Sequence, residues 1–357
     1  MPETMKAMVT MGHGGADQTV WRTDWPRPEP AAGDVLVRVG ACGLNNTDIN
    51  TRAGWYSKSV RSATGDNEAA SSEKDPSWGG APIAFPRIQG ADICGEIVAV
   101  GAGVDPGRVG QRVLGDTWLR DPDDPTNKAK AGYVGSERDG GFAEFCTLPQ
   151  RNAIAINSAL SDAELATFPC SYSTAEGMLT RAQVTEGDTV LVPGASGGVG
   201  GALVQLAKHR GARVVALASE TKHADVAALG ADRLLPRDPP DLGGALRDER
   251  ITVVADVVGG PMMPALIELL DRGGRYTCSG AIAGPIVEID LRTLYLHDLT
   301  FTGSTVIDLD IMPALVRHIE AGAVKPALAA SYPLSELHAA QEAFVSKRHT
   351  GNIVVIP

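Results

Sequence analysis

The chain has 357 residues, 43% of them apolar and 21% charged, a balance that suits a globular protein with length for two ordinary domains or one large one. Its formal net charge of −11 argues against nucleic acid or an anionic membrane surface as the main partner. No run approaches the roughly 20 apolar residues that span a bilayer, and the opening MPETMKAMVTMGHGG lacks a basic region followed by an apolar stretch, so no membrane span and no signal peptide are expected.

In chain order, the first third reads as short strands broken by turns. DVLVRVGACGL and CGEIVAVGAGV are strand-like runs closed by glycine, and GQRVLGD and GGFAEFCTLP continue the rhythm. The pattern predicts a compact β-barrel. Residues 57–82, rich in Ser, Ala, Gly and charge around Trp78, interrupt it as an inserted loop, because so polar a stretch cannot bury enough to fold alone. The insert is readable either as a lid over the pocket or as a surface excursion. A second polar loop, 119–139, carries Tyr133 and Arg138, with Trp118 at its start, and is readable as a further cover of the cleft. Five scattered cysteines (Cys42, Cys94, Cys146, Cys170 and Cys278) never form a C-x-x-C pair, which suits reduced thiols in a cytoplasm and removes any four-cysteine structural zinc lobe.

The middle changes character. SDAE at Ser161–Glu164 has capping-box form and should open a short helix. Then DTVLVPGASGGVGGALVQLAKHRGARVVALASE reads as strand, glycine loop, helix and strand, with Gly211 as the helix stop. ITVVADVVG, PMMPALIELLDRGG, RYTCSG and LTFTGST continue the alternation as strand, helix, strand and strand, which predicts a parallel sheet covered on both faces. Two amphipathic helices (IMPALVRHIEAG and LSELHAAQEAFVS) and the strand GNIVVIP close the chain.

The run Ala195-Ser196-Gly197-Gly198-Val199-Gly200 between that strand and helix is an A-x-G-x-x-G dinucleotide fingerprint. Glycine there lets a pyrophosphate approach the backbone, and the helix N-terminus faces the anion. The next strand stops at Leu217-Ala218-Ser219 without the carboxylate that an NAD site places on the ribose. Ser219 and Lys222 can instead hold a 2′-phosphate, so NADP (as NADPH) is the expected cofactor, although Glu220 could rotate in as the missing acid.

These stretches, with GACGLNNTDI, RAGWY, FPRIQGADICGEIVAVGAGV, GGFAEF and ADVVGG, resemble the medium-chain dehydrogenase/reductase superfamily across essentially the whole chain, and within it the zinc-independent quinone oxidoreductase branch. The resemblance implies an α/β chain: a GroES-like β-barrel catalytic domain from residues 1–155 and 307–357, and a Rossmann doubly wound parallel-sheet nucleotide-binding domain from 156–306. It implies a homodimer paired through LTFTGST as well. Where zinc-dependent members bring Cys, His-Glu and Cys to the metal, this sequence has Asn45, Ala91-Asp92 and Cys170. Cys42, across the strand pleat from Asn45, is a poor substitute. Catalytic zinc takes three protein ligands and leaves a fourth position open, so no metal is expected.

Without a metal, hydrogen-bond donors must meet charge developing on the acceptor oxygen. Candidates are Tyr56 first, then Asn45, Thr47 and Tyr172, with Ser173 beside it. Thr47 could instead hold the nicotinamide ribose, and Asp48 and Asp92 orient neighbours. Thr174, Val258-Gly259, Ser279-Gly280 and Gly303-Ser304 are expected to contact the cofactor. The sequence thus predicts an NADPH-dependent, zinc-independent oxidoreductase acting on a small carbonyl or activated double bond such as a quinone, enone or aldehyde. An alcohol dehydrogenase with an altered zinc site and a non-catalytic NADPH-binding protein remain the alternatives.

Overall fold

The computed structural model describes residues 3–64 and 83–357; most of the insert, Trp78 included, lies outside the described residues. The first third forms β1 (Thr4–Thr10), β2 (Thr19–Pro26), β3 (Asp34–Gly43), helix α1 (Asn46–Ala53), β4 (Arg87–Ile88), β5 (Asp92–Val100), β6 (Arg112–Gly115), β7 (Trp118–Leu119), β8 (Gly132–Tyr133), β9 (Phe145–Pro149) and β10 (Ala153–Ala155). In β3 the alternating Val35, Val37, Val39 and Ala41 are buried, the period-two signature of a strand with one face on a core.

Helices α2 (Asp162–Leu165) and α3 (Pro169–Arg181) lead into the alternating region. There follow β11 (Thr189–Val192), α4 (Gly198–His209), β12 (Arg213–Ala218), α5 (His223–Ala228), β13 (Arg233–Pro236), α6 (Leu242–Leu246), β14 (Ile251–Asp256), α7 (Met263–Glu268), β15 (Leu270–Cys278), α8 (Leu291–Leu296) and β16 (Thr300–Gly303). The chain ends with α9 (Ile311–Glu320), β17 (Leu328–Pro333), α10 (Leu337–Val345) and β18 (Asn352–Ile356).

The sheets sort these strands by origin. β11 to β16 form a parallel sheet in the order β13-β12-β11-β14-β15-β16, whose reversal between β11 and β14 is the switch point at which such sheets bind nucleotides. β17 and β18 return to the first third, where the order is β10-β6-β5-β3-β18-β17 with β9 also on β3. The pattern predicts the barrel and the parallel sheet, and together they are the GroES-like and Rossmann-type α/β architecture that the resemblance implies. One hydrophobic cluster runs from the barrel to one face of the parallel sheet. A second, around Leu191, Val215, Leu217, Val254 and Leu266, fills the other face.

Three local expectations change. The chain does not extend past Cys42 as a strand to Asn45: β3 ends at Gly43 and Asn45 caps α1. The Asp271-Arg272-Gly273-Gly274 run is not a helix stop but lies inside β15, where the positive φ of Gly273 (76°) accommodates a bulge. β17 has no counterpart in the pattern reading, because none of its residues is fully buried and its run LAASYP offers little apolar contrast. Among the described residues no helix is long and apolar enough to cross a membrane.

Candidate functional site

The turn out of β3 sets the first half of the site. A Cβ on Gly43 would lie 2.5 Å from the Ala166 carbonyl and 2.9 Å from Asp92 Cβ, so only glycine lets these three segments meet. Asn45 then donates its backbone N–H to Asp48 Oδ2 at 2.7 Å, the capping contact that starts α1. Its side-chain Nδ2 donates to Asp92 Oδ2 at 2.8 Å, and the Cys170 backbone N–H, in the first turn of α3, donates to Asp92 Oδ1 at 2.6 Å. Tyr133, at the end of the second polar loop, donates its phenol O–H to Cys170 Sγ at 3.2 Å. Thr174, one turn along α3, bonds the same thiol.

Burial dominates the electrostatics of this circuit. It pushes Asp92 up to about 7 against the opposing pull of the Asn45 amide and the Cys170 N–H. Asp48 also rises to about 7, burial outweighing its bond from the Asn45 backbone and the charge of Arg52. Burial, with Asp92 close by, holds the Cys170 thiol well above its usual value, and the Tyr133 phenol rises for the same reason with Cys170 and Asp92 beside it.

A catalytic zinc ligand must be a thiolate, an imidazole or a free carboxylate. Here Ala91 has no donor and both Asp92 oxygens are committed to hydrogen bonds, which leaves Cys170 as the one ligand side chain among the three positions. These residues do not fit zinc. Among the described residues no three His, Cys, Asp or Glu side chains are grouped to hold a metal ion.

The other candidates divide. Thr47, in the first turn of α1, has a buried Oγ1 with no partner among the described residues, a donor left for a ligand. Half-buried Tyr56 bonds Asn50 and has Cys170 and Asp48 as neighbours, so it shares the cleft with Asn45; burial raises its phenol above the ordinary value. Tyr172 does not. It is fully buried, donates to the Lys325 carbonyl at 2.6 Å and accepts from Gln205 Nε2 at 2.7 Å. Two residues along a helix turn a side chain about 200° away, so Cys170 and Tyr172 cannot face one cleft. Ser173 is likewise buried, bonded to the Cys170 carbonyl.

The second half of the site is the glycine loop after β11. Gly194 turns the chain with φ of 65°, and Gly197 precedes α4 without a side-chain cap, which leaves the helix N-terminus open to an anion. A Cβ on Gly198 would fall on Asn352 Oδ1 and Ser171 Oγ, and one on Gly200 would fall on the Gly194 carbonyl, so each glycine answers a close approach. Ala195 is tied to the sheet by its N–H on the Leu217 carbonyl (3.1 Å), and the Ser196 carbonyl accepts Gly351 N–H at 2.9 Å. Val199 is half-buried against the core. Val258, Ser279-Gly280 and Gly303-Ser304 follow the carboxyl ends of β14, β15 and β16, the edge where such sheets bind ligands. Ser304 Oγ is a second buried hydroxyl without a partner among the described residues.

At the end of β12 cations gather. Lys222 Nζ donates to the carbonyls of Lys347 (2.7 Å) and His349 (2.5 Å), beside Ser219. Burial and then Lys222 lower Lys347 to about 8; burial, Lys347 and Lys222 lower His349 to about 4. Burial and then Arg237 lower Lys222 itself. His349 Nδ1 is buried with no partner among the described residues. Glu220 is exposed. Pattern reading missed Lys347, His349, Asn352 and the placement of Tyr133; a KRH run just before the closing strand was the only visible signal, and nothing local ties it to Lys222.

Residues 31–158 match the alcohol dehydrogenase GroES-like domain family, and residues 198–321 match the zinc-binding dehydrogenase family. The chain is 45% identical to a Sinorhizobium meliloti 1021 protein, assigned only provisionally as an alcohol dehydrogenase, whose crystal structure aligns with a TM-score of 0.92 over 100% of this chain and 98% of that one. It is 28% identical to the acryloyl-coenzyme A reductase of Metallosphaera sedula, over 98% of this chain and 99% of that protein. It is 26% identical to the chloroplastic NADPH-dependent alkenal/one oxidoreductase of Arabidopsis thaliana, over 100% of this chain and 81% of that protein.

Proposed function

This chain is an oxidoreductase of the medium-chain dehydrogenase/reductase superfamily, and from that premise we propose that it is an NADPH-dependent, metal-free reductase of activated double bonds and carbonyls. The observation that carries this reading is the Asn45–Asp92–Cys170 hydrogen-bond circuit, which commits the position where zinc-dependent relatives hold their metal.

NADPH, when bound, supplies the hydride. The protein's part is to hold, orient and polarise. The open N-terminus of α4 faces the pyrophosphate, and the close-packed glycines keep side chains out of its way. Lys222 and Lys347 gather positive charge that a ribose 2′-phosphate would neutralise, with the neutral His349 ring beside them; no carboxylate ends β12 to prefer a 2′-hydroxyl. Thr47 and Ser304 offer unsatisfied hydroxyls to the nicotinamide half or the substrate. Tyr56, on the cleft wall, orients the acceptor. Much of the acceleration in such a site comes from positioning the acceptor carbon against the hydride donor. The two reductases to which the chain is similar act, by name, on conjugated C=C bonds, which favours enones, enals and related acceptors here.

β16 ends the parallel sheet, and the segment that leads into it exposes Ile286 and, on α8, Leu291, Tyr295 and Leu296. An uncovered edge strand with an apolar border is an association surface, so the active form is proposed to be a homodimer. A screen of NADPH oxidation over quinones, enones, enals and aldehydes tests the reading. Enone or enal turnover supports it; zinc-dependent alcohol oxidation in its place sinks it.

A further inference from the structure

We infer that Tyr133 is a catalytic residue, its phenol O–H standing in for the absent metal as the group that binds the acceptor oxygen. The inference rests on the reductase reading above and adds to it a residue from the second polar loop. Tyr133 comes from the second polar loop, yet its hydroxyl lies 3.2 Å from Cys170 Sγ, on the circuit that joins Asn45, Asp92 and Cys170. Its charged neighbours are Asp92 and Asp48, the two buried carboxyls of the cleft. The ring is held edge-on to Trp118 with centroids 4.9 Å apart across the β7–β8 pair, and Glu137 accepts the Tyr133 backbone N–H at 2.7 Å. A phenol so braced is pre-organised, which is what an oxyanion donor requires.

Its resting acceptor is weak. A neutral thiol sulfur accepts poorly, so turning the O–H from Cys170 to a developing oxyanion exchanges a poor bond for a charge-assisted one. The step balances as follows for an enone. Hydride from NADPH forms a C–H bond at the β-carbon and NADPH leaves as NADP+. The C=C pair moves to form a double bond between the α-carbon and the carbonyl carbon, and the carbonyl pair moves onto oxygen. Tyr133 stabilises that enolate by hydrogen bonding and keeps its own proton, as a phenol whose pKa burial has raised should. Water then protonates the α-carbon and releases hydroxide to the buffer.

Tyr133→Phe in the full-length protein is the test, read in two ways. With an enone that the wild type reduces, kcat should fall about 100-fold, as for loss of one oxyanion donor, while NADPH binding by cofactor fluorescence stays within about twofold. The second readout needs no turnover: p-nitrophenolate, a chromophoric oxyanion, should bind the NADP+-loaded wild type and bind Tyr133→Phe about tenfold more weakly. Cys170→Ala, which removes the sulfur bonded by Tyr133 and Thr174 but keeps the backbone N–H on Asp92, should keep the p-nitrophenolate site; a merely structural Tyr133–Cys170 pair would lose it in both variants. Equal phenolate binding in wild type and Tyr133→Phe, no phenolate binding in the wild type, or a kcat change under threefold overturns the inference. Tyr133-dependent phenolate binding without reduction of any acceptor would overturn the reductase reading alone.

Discussion

Lys222→Met should separate the two nicotinamide cofactors. Lys222 Nζ has three N–H bonds and spends two on the Lys347 and His349 carbonyls, which leaves one for a 2′-phosphate. A hydrogen bond to a charged group contributes about 1.5–3 kcal/mol when shielded. Solvent at this half-buried position reduces that to about 1–2 kcal/mol, and since each 1.4 kcal/mol is tenfold, kcat/KM with NADPH should fall roughly 5- to 30-fold. With NADH it should stay within about twofold, because no 2′-phosphate is there to lose. The loss should shrink as salt is raised, since added ions screen the exposed side of the site. Steady-state kinetics with both cofactors at two ionic strengths supplies the four numbers needed. An equal fall with NADPH and NADH would refute the reasoning: Lys222 would then be only a strut for the 347–349 loop.

Other consequences follow from the same geometry. Gly198→Ala places a methyl against Asn352 Oδ1 and Ser171 Oγ, so it should cost about 1–3 kcal/mol of stability in a denaturant melt and weaken both cofactors together. Asp48 and Asp92 each sit near 7 when folded, above the usual value of about 3.9 for a free side chain. Between roughly pH 4 and 7 the folded chain therefore holds protons that the unfolded chain has lost, so these two groups make stability fall as pH rises through that window. Asp48→Asn should flatten the fall in thermal midpoint from pH 5 to 8; an unchanged slope would contradict the burial argument. Tyr295→Glu, on the exposed face of α8, should shift the mass seen by light scattering from dimer to monomer, and a wild-type monomer at micromolar concentration would remove the dimer proposal.

What the sequence disclosed depended on how local each signal was. The β11–α4–β12 unit was readable because its strand period, glycines and helix stop lie within 30 neighbouring residues, and the structure places the loop at the reversal of strand order. Asn45, Ala91-Asp92 and Cys170 were singled out for a different reason, by their resemblance to the zinc-ligand positions of the superfamily, and only the fold shows that Asn45 and Cys170 both bond Asp92. Tyr172 misled because it neighbours Cys170 in sequence while helical rotation sends it to Lys325 and Gln205. Tyr133 was read only as part of a loop that could cover the cleft, for the converse reason. It stands 37 residues before Cys170 in a polar loop, and only the β7–β8 pairing brings its phenol to the thiol. Lys222 and Lys347 are 125 residues apart and meet only because β18 returns beside the glycine loop, where Gly351 pairs with Gly197.

The most direct measurement of metal-free reduction is NADPH oxidation with an enone by purified protein after exhaustive chelation, alongside elemental analysis of the same sample. The Asn45–Asp92–Cys170 circuit predicts unchanged turnover with zinc far below one per chain. Turnover lost on chelation and restored by added zinc would contradict it.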